Sequence, residues 1–77
     1  MARVMLEPVE GRPAWEVRVE GKRVGLIWRD RRYFRGIEEG REEPLGTKFN
    51  SREAAARALA RRAGFEDARD VIAEPER

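Results

Sequence analysis

The chain has 77 residues with no cysteine and no histidine, which excludes disulfides and the usual structural zinc sites. A chain this short buries only about 60% of the surface that its unfolded form exposes, so ion pairing or oligomerisation is left to supplement one small core. Charged residues make up 42% and hydrophobic residues 40%, with 17 Lys+Arg against 15 Asp+Glu; this patterned composition reads as one folded domain over 1–77.

The first apolar run, Arg3–Glu7 with Val4, Met5 and Leu6, predicts an edge strand that ends at Pro8. From Trp15 to Trp28 the pattern is a hairpin. Trp15, Val17 and Val19 alternate with Glu16, Arg18 and Glu20, the signature of a half-buried strand. Gly21-Lys22 then supplies a two-residue turn with glycine at its first central position. That turn sets Glu20 opposite Arg23, Val19 opposite Val24, Val17 opposite Leu26 and Trp15 opposite Trp28, so every inward pair is apolar. A third strand is expected over Arg32–Glu38 after a three-residue loop near Asp30, with Phe34 inward beside Leu26 and Tyr33 outward beside Ile27. A helix follows over Arg52–Ala63, capped by Asn50 or Ser51 with Glu53 as reciprocal partner and stopped by Gly64. Its inward stripe reads Ala55, Ala58, Leu59, Ala63, and Phe65 closes the core. Val71 and Ile72 fit a short strand or a helical turn equally well. The fold class is therefore α+β: a three- to four-stranded antiparallel sheet with one α-helix packed on one face.

The residue inventory points away from catalysis. The commonest general base and the best nucleophile are absent, and Ser51, Thr47 and Tyr33 are the only hydroxyl side chains. The loop Glu38–Glu43 holds four glutamates, but their spacing fits no calcium loop and reads as a solvated acidic segment. No enzyme activity, metal, cofactor or small-molecule substrate is expected. No apolar run approaches the roughly 20 residues of a membrane span, which suits a soluble, cytoplasmic protein. Lysine occurs twice against fifteen arginines, glutamine is absent and Asn50 is the sole asparagine, a composition that suits a thermophile rich in ion pairs.

Charge is blocked along the chain. Residues 21–37 carry six basic side chains against Asp30, a balance of +5, and residues 47–64 carry five against Glu53, a balance of +4. One helix covers one sheet face only, and the predicted register places Arg18, Arg23, Ile27, Tyr33, Arg35 and Ile37 on the other, together with Glu16 and Glu20. Arg31 and Arg32 lie at its end. An apolar strip of Ile27, Tyr33 and Ile37 edged by arginines is the composition of an interface. The expected function is self-association through this face, as a homo-oligomer; the alternative is nucleic-acid binding through the same face and the Arg29–Arg35 cluster.

The stretch Leu45-Gly46-Thr47-Lys48-Phe49-Asn50-Ser51-Arg52-Glu53-Ala54-Ala55-Ala56-Arg57-Ala58 resembles the strand-to-helix junction of two related DNA-binding modules. These are the plant ethylene-response-factor domain and the amino-terminal domain of tyrosine recombinases. The resemblance covers under a fifth of the chain, and here Lys48 is one extra residue between Thr47 and Phe49. It implies a three-stranded antiparallel sheet backed by one helix, with the exposed sheet face entering the major groove. By position Arg18, Arg23, Tyr33 and Arg35 would then face DNA, without one-to-one identity to the motif residues of those families.

Overall fold

The computed structural model describes residues 3–68 and 70–73; the end of the acidic tail, 74–77, lies outside them. Its elements are β1 (Arg3–Pro8), β2 (Ala14–Val19), β3 (Lys22–Asp30), β4 (Tyr33–Glu38), α1 (Arg52–Arg62) and β5 (Asp70–Ala73). Strands β1 to β4 form an antiparallel meander, and the chain then crosses one face of it as α1 before β5 joins the sheet beside β1 in parallel. The sheet order is β4-β3-β2-β1-β5, so the architecture is α+β with one helix on one sheet face. Val71 and Ile72 lie in a strand, and β1, expected at an edge, lies inside the sheet with a partner on each side.

The core lies between sheet and helix. Val4 and Leu6 from β1, Val17 and Val19 from β2, Ile27 from β3 and Ala55, Ala56, Leu59 and Ala60 from α1 are fully buried. The helix stripe is thus shifted from the expected one: Ala56 and Ala60 replace Ala58 and Ala63, and Ala63 is exposed. Ser51 is the cap, its Oγ accepting a hydrogen bond from the Ala54 amide at 3.1 Å. The helix ends where Gly64 takes φ +101° and Phe65 N–H reaches back to the Ala60 carbonyl, a glycine-dependent stop.

The hairpin register differs from the expected one, and the difference has a local cause. Glu20 and Gly21, not Gly21 and Lys22, occupy the turn, with φ +51° and +84°. Two positive φ values make a type I′ turn, whose twist suits the flanking strands. Val19 then faces Lys22 and Arg18 faces Arg23; a bulge follows, and beyond it Val17 faces Gly25, Glu16 faces Leu26, Trp15 faces Ile27 and Ala14 faces Trp28. An extra residue in one strand exchanges the faces of everything after it. Ile27 is consequently inward and fully buried, a correction to its expected place on the outer face, while Leu26 and Trp28 face outward.

The next connection also differs. Asp30 faces Tyr33, which leaves the two-residue turn Arg31-Arg32 in place of a three-residue loop. Tyr33, Arg35 and Ile37 nonetheless project outward, because the shorter loop and the shifted β3 register offset each other. Phe34 projects inward, beside Arg29 in register and 5.9 Å from Trp15 between ring centroids.

The bulge brings Gly25 to the helix-facing side, where a Cβ would lie 2.5 Å from the Ile37 carbonyl oxygen and 3.0 Å from Leu59 Cδ1. Gly36, opposite Ile27, also lies under Leu59. Leu59 therefore seats in a depression made by two glycines. Gly25→Ala should destabilise the protein by about 1–3 kcal/mol, the usual cost of overpacking, while Gly46→Ala, where no atom lies within 4 Å, should be close to neutral. Urea unfolding of the two variants checks this, and equal effects would mean that Gly25 does not meet the helix.

Candidate functional site

The outer face is a grid built from β1 to β4. Its rows follow from the register: Met5, Arg18 and Arg23; then Glu7, Glu16, Leu26 and Ile37; then Ala14, Trp28 and Arg35; and finally Asp30 and Tyr33. Seven of the eight residues expected at the site, all but Ile27, lie on this face or at its end. Arg18, Arg23, Tyr33, Arg35 and Ile37 are on the grid, and Arg31 and Arg32 form the turn beyond Asp30. Glu16 is on the face as expected, whereas Glu20 belongs to the turn.

Leu26 and Trp28 take the place that Ile27 was expected to hold. Together with Val9, Pro13 and Ala14 they floor an open groove of about 670 Å³ whose rim carries Arg12, Glu16, Arg23 and Arg29. The sequence did contain a signal for this exchange. Gly25 interrupts an otherwise apolar strand, and an isolated strand glycine marks a bulge or a close backbone approach.

The grid places like charges directly opposite, Glu7 against Glu16 and Arg18 against Arg23, which in isolation is unfavourable. The adjacent rows relieve it diagonally. Arg18 Nε donates to Glu7 Oε2 at 3.1 Å and its Nη2 to Glu16 Oε1 at 3.2 Å. Arg23 lies 3.6 Å from the same Glu16 oxygen and 2.7 Å from Glu39 Oε2. Five side chains thus form one alternating chain, Glu7–Arg18–Glu16–Arg23–Glu39, across the sheet. Arg35 lies 3.8 Å from Asp30, and its Nε is buried with no hydrogen-bond partner. The three arginines of the expected binding face are therefore all engaged by carboxylates of the same molecule.

The acidic loop does other work. Leu45 N–H bonds to the Gly36 carbonyl, and Phe49 exchanges two hydrogen bonds with Phe34 at 2.8 and 2.9 Å, so the loop lies along the free edge of β4. Glu38 and Glu39 pair with Arg62 and Arg23. Among the described residues no group of three or more acidic side chains gathers as a metal site would require. No helix among them is long and apolar enough to cross a membrane.

No protein-family model matches the chain, and no curated protein or solved structure is significantly similar to it.

Glu16 is the node of the charge chain, so Glu16→Gln should cost about 0.5–1 kcal/mol at low salt, the upper range for exposed pairs. In about 1 M NaCl, where the screening length falls to about 3 Å, the cost should largely vanish. Urea midpoints of both proteins at the two salt levels measure it; a cost indifferent to salt would place the effect in packing.

Proposed function

We propose that the chain is a cytoplasmic, non-catalytic interaction module that associates with a second copy of itself through the outer sheet face. The observation that carries this reading is the charge pattern around the apolar groove. Leu26, Trp28, Ala14 and Ile37 are set among fixed charges of both signs, in rows that alternate. A two-fold axis lays such a surface against its own complement, arginine row to glutamate row, while the apolar centre is removed from water. A polyanion laid over the same face would meet Glu7, Glu16, Asp30 and Glu39 as closely as the arginines. Absence of histidine and cysteine and the dispersal of the carboxylates among ion pairs support a role without chemistry.

Size argues in the same direction. The four strands of the grid, each taking about 4.8 Å, make a face about 19 Å wide, and strands of six residues give it a length of about 20 Å. A small core gains from covering such a surface, although the patch lies at the small end of specific interfaces.

Leu26→Asp tests the reading, because it puts a charge at the groove floor without entering the core. Sedimentation should give a dimer for the unaltered protein at high micromolar concentration and a monomer for the variant, with the helical signal retained in both. A monomer for the unaltered protein at that concentration would refute self-association.

A further inference from the structure

The neutralised outer face contrasts with one end of the sheet, where positive charge is left uncompensated. The β3–β4 turn carries Arg31 and Arg32, and the loop before α1 carries Lys48; with Asp30 and Tyr33 these line a concavity of about 530 Å³. None of the three cations forms an ion pair among the described residues, and the one carboxylate present, Asp30, is engaged by Arg35. Tyr33 is 40% exposed, the only large apolar side chain among the described residues that is so open. Lys48 Nζ lies 5.7 Å from the centre of its ring.

The cluster is held in place by backbone. The paired hydrogen bonds between Phe34 and Phe49 fix the Lys48 loop beside β4. Arg29 Nε donates to the Arg31 carbonyl at 3.1 Å, bracing the turn. Arg31 itself is held at φ +60°, a conformation that glycine would adopt without penalty and that arginine resists. Arginine thus stands where turn geometry alone favours glycine.

We propose that this end of the sheet binds single-stranded nucleic acid, with Arg31, Arg32 and Lys48 on successive phosphates and a base stacked on Tyr33. An aromatic ring set among unpaired cations is how strands are gripped without sequence preference. The site is separate from the groove around Leu26 and Trp28, which none of the four residues lines, and it meets the outer face only at Tyr33.

Fluorescence anisotropy with a labelled oligothymidylate and the full-length protein is the test. Binding is expected at about 50 mM salt, with log affinity falling against log salt at a slope near −2, three phosphates at about 0.7 each. Replacing Arg31, Arg32 and Lys48 together by Ala should abolish it. Tyr33→Ala should weaken it roughly tenfold, as loss of one stacked base does. Replacing Arg41, Arg57 and Arg61 together by Ala removes the same charge elsewhere and should leave affinity unchanged; circular dichroism confirms that each variant is folded. Arg31→Gly, which relaxes the turn, should lose affinity while gaining stability. The proposal is overturned by no binding at low salt, by equal loss in both triple variants, or by polyglutamate competing as well as the unlabelled strand. A duplex bound more tightly than the strand also overturns it.

Discussion

Leu59 sitting on Gly25 and Gly36 is the contact from which the rest of this structure follows. An alanine-rich helix can approach a sheet closely only where the sheet offers a depression, and two glycines on neighbouring strands provide one. For Gly25 to face the helix, one extra residue must be absorbed in β3 between the turn and Gly25. The bulge does this and leaves Val24 and Gly25, adjacent in sequence, both buried. From that point outward the faces are exchanged. Ile27 enters the core, and Leu26 and Trp28 are delivered to the opposite side. The composition of the outer face is thus a consequence of how the inner face was packed.

The same sheet separates two kinds of charge. Across its outer face arginines and glutamates are interlocked, each pair worth little alone, but joined into a chain that fixes long side chains around an apolar groove. At the Tyr33 end, among the described residues, Arg31, Arg32 and Lys48 stand around an exposed ring without an ion-pair partner. A net charge of +2 over the whole chain hides this division. Local compensation, rather than total charge, distinguishes the surface proposed to meet another copy of the chain from the one proposed to meet phosphates.

Much of the fold was legible in the sequence because its signals are local and agree with one another. The alternation in Trp15–Val19, the glycine at the β2–β3 turn, the cap before Arg52 and the stop at Gly64 each specify an element, and the α+β layout follows from their order. The outward placement of Arg18, Arg23, Tyr33, Arg35 and Ile37 was legible too. The position of Ile27 was not legible from alternation, and only the isolated Gly25 signalled it. Pairing the two tryptophans gave an all-apolar inner face and so satisfied the pattern, yet the close approach of Leu59 to Gly25 is a long-range contact that no alternation of β3 can reveal. Pairing of the arginines was equally hidden, since Glu7 and Glu39 reach them from other strands and loops.

The register of the β2–β3 hairpin is the claim on which both surfaces depend, and cross-strand proton contacts in isotope-labelled protein read it directly by NMR. The account predicts backbone contacts between Arg18 and Arg23, between Trp15 and Ile27 and between Ala14 and Trp28. Contacts between Val19 and Val24 together with Trp15 and Trp28 would contradict it, and would return Ile27 to the outer face.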